Sequence, residues 1–371
     1  MKPIFVIVLS SVTLLSCVNH IDDTTFDGII LEAPLLHEIE EDSLLSFSSL
    51  FESVDTIYLN NDSVESTVGS IDNVKFSEGL VFIQSNNELF VFNEDGSFKN
   101  KIGKKGRGPG EYLNLSKFDV LSSKKEVSIL DCNLNRVLVY SYDGVFLRKF
   151  DFKDFIHDFA VLPNGNYLFM NPDFYGRDTR RGLWELDSLG NFVNQYFTIS
   201  DDYLHVSINT HYLVHISPEI IGCQGIEDFD YIYHYKNGTL NPEYKFKTDI
   251  VVPNKIKKKG GRWSNPNKEY TKTGYYESER LLILTATNFE TGVKIVYDKK
   301  SKTLFRLYSD YLQRIKSADN YLPYFCACYE GKYVMYLDAA SVLNSDILKV
   351  KFPTITSDSN PILLIANERI D

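Results

Sequence analysis

Beyond residue 50, apolar and polar positions alternate with a period near two, in short runs broken by Gly, Asn, Asp and Ser, which predicts β-strands rather than helices. The runs repeat as a unit: two β-rich runs, a tight turn and a third run. LVFIQSNNELFVFNEDGSFKNKIG (Leu80 to Gly103) is the first copy and VSILDCNLNRVLVYSYDGVFLRKF (Val127 to Phe150) the second. NYLFMN (Asn166 to Asn171) with GLWELDSLGNFVNQYF (Gly182 to Phe197) makes the third, and YIYHYKNGTLNPEYKF (Tyr231 to Phe246) the fourth. Their turn glycines, Gly96, Gly144, Gly190 and Gly238, are separated by 48, 46 and 48 residues. A fifth copy runs from Leu281 to Tyr308 with Lys300-Ser301 in its turn; its spacing stretches to 63 because residues 253–279 read as an insertion. A sixth begins at Lys332–Ala339 and ends at Pro361–Ile370, while the pattern sets no strand boundaries between Tyr203 and Gly225.

A repeat of roughly 40–50 residues carrying about four strands is the signature of a propeller blade. Helical solenoids need an apolar stripe of period 3.6, which these runs lack. A β-sandwich does not explain one hairpin recurring at nearly constant spacing. The expected fold is therefore all-β: a six-bladed β-propeller with four-stranded antiparallel blades, its ring closed by an N-terminal strand. Ser53–Leu59 supplies that strand beside Pro361–Ile370. Asp95-Gly96, Asp143-Gly144 and Asn237-Gly238 are dipeptides that tolerate positive φ and suit two-residue hairpins.

The first residues follow a different pattern. Lys2, the apolar run Ile4–Leu9 and then Leu14-Leu15-Ser16-Cys17 form a positive start and an apolar stretch too short to stay in a bilayer as a spanning helix, so they read as an export signal. Leu-Leu-Ser-Cys resembles the lipobox of bacterial lipoproteins, which implies cleavage before Cys17 and a lipid anchor on its thiol. Val18 stands where an Asp marks inner-membrane retention in many such proteins, so the resemblance implies the outer membrane. The expected organisation is a signal peptide over 1–16, a lipidated polar tether over 17–50 and a propeller over 51–371. The formal charge, 39 − 50 = −11, argues against nucleic acid as a partner. Besides Cys17 there are four cysteines, Cys132, Cys223, Cys326 and Cys328, which read as buried thiols.

The stretch Lys101-Ile102-Gly103-Lys104-Lys105-Gly106-Arg107-Gly108-Pro109-Gly110-Glu111-Tyr112, followed by Val127–Asp131 and Arg136–Tyr140, resembles the inter-blade signature of NHL-type propellers. With the lipobox and the Asn360-Pro361-Ile362-Leu363-Leu364 ending, the chain is similar over residues 45–371 to the six-bladed β-propeller lipoproteins of Bacteroidota. That resemblance implies the ring and implies no particular reaction. The Gly lost at Lys300-Ser301 and the irregular fourth repeat depart from the family pattern.

Three places invite a chemical reading. The glycine-rich loop Gly103–Gly110 is no phosphate cradle, because a strand rather than a helix follows it; it reads as a blade crossover. The insertion Val251–Thr273 carries seven basic residues against Glu269 alone, a net +6. Within it, Lys257, Lys258, Lys259, Arg262 and Trp263 are candidate ligand-binding residues for an anionic glycan or acidic polymer, weighed against a plain solvated loop. The innermost strands, expected near Ile71–Phe76, Lys117–Leu121 and His157–Leu162, bring Asp72, Asn73, Asp119 and Asp158 to the central channel. Sugar-lactonase-like propellers hold a divalent cation with such oxygens; the same groups also suit bonding to channel backbone. His205, His211 and His215 lie on an extended segment and make no helical ligand pair, and no nucleophile or zinc motif appears. The sequence calls for no cofactor and assigns no metal or catalytic residue. It is read as an outer-membrane-anchored lipoprotein binding an envelope protein or glycan through one face, with a metal-dependent hydrolase or lyase at the channel as the alternative.

Overall fold

The computed structural model describes residues 26–32, 50–172, 180–199, 211–225, 231–247, 271–287, 291–310, 325–329 and 331–369. Strand β1 (Ile29–Glu32) and strand β2 (Phe51–Tyr58) precede the first complete blade. Blade one is β3 (Ile71–Ser77), β4 (Leu80–Ser85), β5 (Glu88–Asn93) and β6 (Phe98–Lys101). Blade two is β7 (Lys117–Leu121), β8 (Glu126–Asp131), β9 (Arg136–Ser141) and β10 (Phe146–Asp151). Blade three is β11 (Asp158–Val161), β12 (Tyr167–Asn171), β13 (Gly182–Leu186) and β14 (Phe192–Thr198). Blade four is β15 (Leu213–Ser217), β16 (Ile220–Gln224), β17 (Tyr231–Lys236) and β18 (Thr239–Lys247). Blade five is β19 (Thr271–Glu277), β20 (Leu281–Thr287), β21 (Thr291–Asp298) and β22 (Thr303–Asp310). Blade six is β23 (Phe325–Tyr329), β24 (Lys332–Leu337) and β25 (Ile362–Glu368), completed by β2. Two short helices, α1 (Ala339–Leu343) and α2 (Asp346–Lys351), join β24 to β25. No described helix is long and apolar enough to cross a membrane.

The chain is thus an all-β, six-bladed propeller, each blade built on four antiparallel strands, in sequence order except where β2 completes blade six. Ring closure follows the expected route: β2 pairs antiparallel with β25, from Phe51 opposite Glu368 to Tyr58 opposite Ile362. Asn360 pins the same junction from the side. Its amide donates to the carbonyls of Asn60 (3.0 Å) and Ser66 (2.7 Å), and its oxygen accepts from Val68 N–H (2.8 Å).

The apolar core is distributed between blades rather than within them. One cluster joins blades six, one and two, and four others fill the remaining junctions in turn. Because each sheet is covered on both faces, strands such as β8 and β9 are buried along nearly their whole length, and alternation gives way to continuous apolar runs there. The outermost strands β10 and β14 are largely exposed.

Several expectations need correction. The whole of 17–50 was assigned to the tether, yet Ile29–Glu32 adds to blade four as a fifth strand, parallel to β18, with Leu31 buried in the junction with blade five. Thr271–Glu277, placed in the insertion, forms the innermost strand of blade five. The front half of repeat four, which the pattern left open, is the hairpin β15–β16. Of the three dipeptides expected to form two-residue turns, Asp95-Gly96, Asp143-Gly144 and Asn237-Gly238, only Asn237-Gly238 has both residues at positive φ. At Asp95-Gly96 and Asp143-Gly144 glycine alone takes positive φ, and the bonds Asn93 N–H to Ser97 and Ser141 N–H to Val145 close three-residue loops instead. Gly96 is also required by packing, since a Cβ there would lie 2.0 Å from the carbonyl oxygen of Tyr58 on the closing strand.

Candidate functional site

The innermost strands of all six blades converge on the axis and enclose a void of about 30 Å³ for water-sized occupants. A void this small admits on the order of one or two waters. Three of the four channel candidates are buried around it, and each accepts from the N–H of the residue that follows it: Asn73 from Val74 (2.9 Å), Asp119 from Val120 (2.8 Å) and Asp158 from Phe159 (3.0 Å). Asp119 and Asp158 use their second oxygen to hold the next blade. Asp119 Oδ2 accepts from Val161 N–H at 2.7 Å, and Asp158 Oδ2 from Tyr212 and Leu213 N–H at 2.7 and 3.0 Å. Asp72, by contrast, is exposed.

Asp119 is the hub. Its carboxylate is fully buried, with Lys75 Nζ 2.5 Å from Oδ1 and His215 Nε2 2.8 Å from Oδ2, so one side chain links blades one, two, three and four. Burial pushes its pKa up, but His215 and Lys75 outweigh that and hold it far below the usual carboxylate range. Lys117 lies in the same ring of charges: burial lowers its ammonium pKa, and Asp158 and Asp72 pull it back up. Burial, with Lys117, Lys75 and His157 nearby, keeps the His211 imidazole neutral at ordinary pH. From sequence alone His211 and His215 have no assigned partner and Lys75 and Lys117 do not stand out, because Lys75 and His215 are 44 and 96 positions from Asp119. The available signal was their position on innermost strands.

A second buried network lies where blades four, five and six meet. Glu277, fully buried, accepts from His234 Nε2 (2.9 Å), from Lys299 Nζ (2.6 Å) and from the Tyr275 hydroxyl; Lys299 also donates to the Ser278 carbonyl at 2.6 Å. Burial opposes its ionisation, yet His234 and Lys299 hold its pKa below the ordinary value. Nearby, Glu368 is raised to about 6, chiefly by burial. These shifts predict opposite pH responses. Asp119 and Glu277 contribute stability that is fully present above their unfolded-state pKa near 4 and is lost progressively as pH falls below it toward their depressed folded-state pKa values. Glu368 contributes in the opposite sense, with stability lost as pH rises from about 4.5 through about 6. Urea midpoints measured from pH 7 to pH 3 should therefore fall in acid. Glu368→Gln should gain stability relative to the parent at pH 7 compared with pH 4; a pH-independent difference would refute the assignment.

The other candidates are structural or lie outside the described residues. In the glycine-rich loop, the protein's own Glu111 occupies the anion position, accepting from Gly108 N–H at 2.7 Å and pairing with Lys104 at 2.9 Å. A Cβ at Gly106 would lie 2.0 Å from that carboxylate, so a larger residue there would displace Glu111 from its present position. All four described cysteines are free. Burial raises Cys132 to about 11 and Cys326 to about 12, and Cys223 and Cys328 shift the same way, so none is an activated thiolate. Among the described residues no three His, Cys, Asp or Glu side chains come together as a metal cage. With the channel oxygens bonded to backbone and the void water-sized, the hydrolase or lyase reading gains no support from this geometry. Cys17 and the insertion residues Lys257, Lys258, Lys259, Arg262 and Trp263 lie outside the described residues.

Fold and channel together define a six-bladed propeller whose axial polar groups hold the ring together. Residues 32–367 match the family DUF4934, a domain of unknown function, and the chain belongs to that family. No curated protein matches. Among solved structures the chain is similar to a "Putative exported protein" from Bacteroides fragilis NCTC 9343, at 20% identity and a TM-score of 0.72 over 92% of this chain and 99% of that one. It is also similar to a member of the DUF4221 family from Bacteroides vulgatus, at 10% identity and a TM-score of 0.52 over 86% and 97% of the two chains. At these identities the likeness concerns the fold.

Proposed function

We propose that the chain is an exported lipoprotein, anchored through Cys17 in the outer membrane, whose propeller binds an envelope protein or glycan through one face without catalysing a reaction. The observation that carries the binding part is the state of the channel: its carboxylates and amide are bonded to backbone, and its void admits only water-sized occupants. Contact with any larger molecule then falls to the faces and their loops. The export part draws on the Leu14-Leu15-Ser16-Cys17 sequence and on the similarity to a Bacteroides protein described as exported. Lys257, Lys258, Lys259, Arg262 and Trp263 belong to the same reading as a cationic determinant for anionic glycans.

Two measurements test it. Labelling with a fatty-acid analogue should mark the parent and not Cys17→Ala, and the parent should fractionate with the outer membrane; an unlabelled, freely soluble parent refutes the anchor. Pull-down from envelope extracts should capture a saturable partner or glycan, and neutralising Lys257, Lys258, Lys259 and Arg262 should weaken capture of anionic glycans. Failure to capture anything refutes the binding reading.

A further inference from the structure

A cleft of about 510 Å³ lies between blades three and four, away from the channel. It is framed by the β11–β12 and β15–β16 hairpins and by the Asn237-Gly238 turn, all at the end of the blades where first and second strands, and third and fourth strands, are joined. Its volume falls within the roughly 300–1,000 Å³ of small-molecule sites.

The wall of this cleft contains Glu185, only 4% exposed. Its Oε1 accepts from Asn166 Nδ2 at 2.7 Å, and its Oε2 from the hydroxyls of Tyr196 at 2.5 Å and Tyr235 at 3.2 Å. All three donors are neutral. Buried Asp119, Glu277 and Asp298 have a Lys or Arg nitrogen at 2.5, 2.6 and 3.0 Å, whereas buried Asp131, also held by neutral donors, accepts from the backbone N–H groups of Leu113, Asn133 and Leu134 and does not line the cleft. A carboxylate removed from water is costly without a counter-charge, because hydrogen bonds to neutral donors replace hydration only in part. Among the described residues no Lys or Arg lines the cleft itself; a second carboxylate, the exposed Glu219, does, with Lys236 Nζ 4.0 Å from it on its outer side and none of the Lys or Arg nitrogens pairing with Glu185. The Tyr196 and Tyr235 rings meet edge to face at 5.2 Å beside Glu185. Burial and Glu185 itself raise both phenol pKa values, so the hydroxyls stay protonated as donors and the rings stay neutral.

We infer that this cleft is a binding site for a cationic group, an alkylammonium or guanidinium, which supplies the counter-charge that Glu185 lacks among the described residues. The cation meets Glu185, with Glu219 at the rim and the Tyr rings offering cation–π contact. Among the described residues an anion meets two carboxylates, and the one lysine at the rim, Lys236, is already paired with Glu219. A neutral saccharide can hydrogen-bond here but leaves Glu185 uncompensated. The inference deepens the binding reading and rests on it for the use of a propeller face.

Calorimetric titration of the intact chain tests it with four probes: agmatine, N-acetylarginine amide, the neutral isostere N-acetylcitrulline amide and N-acetylglucosamine. Saturable binding of a guanidinium probe tighter than about 1 mM, with the citrulline isostere at least tenfold weaker, is the expected result. Tighter binding of agmatine points to a free polyamine as the natural ligand, and tighter binding of the capped arginine to a protein side chain; both support the site. Glu185→Gln should weaken binding tenfold or more. Should that variant fail to melt cooperatively, Tyr235→Phe and Glu219→Gln carry the test, each expected to weaken binding several-fold. Equal binding of the citrulline isostere, binding of N-acetylglucosamine alone, or no cation binding overturns the inference. Envelope capture unchanged by Glu185→Gln, together with no cation binding, overturns this inference and leaves the binding reading standing; cation binding without envelope capture does the reverse.

Discussion

Removing residues 50–58 is expected to lower the thermal midpoint sharply or abolish cooperative unfolding, and to increase self-association relative to the parent. Those residues carry β2, the only strand that blade six takes from the other end of the chain. Leu50 and Phe51 are buried in the junction of blades five and six, and Ile57 in that of blades six and one. Truncating a buried Phe alone typically costs about 3–5 kcal/mol, against a total domain stability of about 5–15 kcal/mol. Deletion also leaves β25 as an open edge whose backbone groups template pairing with another chain. Thermal melts and size-exclusion chromatography of the parent and deleted chains check this. An unchanged midpoint in a deletion variant that elutes as the parent does would show that closure contributes little. Asn360→Ala is the milder companion, because it removes three bonds at the same junction and leaves β2 in place.

Asp119→Ala is expected to cost about 3–5 kcal/mol, the range for breaking a buried ion pair from one side. The variant leaves Lys75 without its carboxylate and deprives Val120 and Val161 N–H of their acceptor. Asp119→Asn keeps an acceptor and removes the charge, so its loss should be smaller. Equilibrium urea unfolding at pH 7 separates the two, and both variants should show a shallower decline in acid than the parent because the depressed carboxylate is gone. A loss below about 1 kcal/mol, the scale of an exposed pair, would mean that the hub carries little of the ring's stability.

Asp119 and Asp158 were selected from sequence because a repeat of known length places them on innermost strands. Position was readable there and role was not. Metal ligand and backbone clamp require the same oxygen-bearing side chains, and the difference lies in what faces them: Val161, Tyr212 and His215, which the chain delivers from later blades. Glu185 is a stronger case. In GLWELDSLG it is a polar position on a β-rich run like many others, and its burial beside Tyr196 and Tyr235 arises only when blade four packs against blade three. Strand β1 escaped because Ile29-Ile30-Leu31 is a short apolar run in an acidic stretch, too brief to carry a periodic signal.

Strand identity, repeat length, blade number and the closing segment are local or periodic properties. Alternation, turn dipeptides and spacing encode them within windows of a few dozen residues, so they can be read before folding. Which polar groups are satisfied, which carboxylate lacks a counter-charge and where a cleft opens depend on contacts between blades far apart in the chain. Those contacts form only when the ring closes, because burial and electrostatic compensation are properties of an environment rather than of a residue.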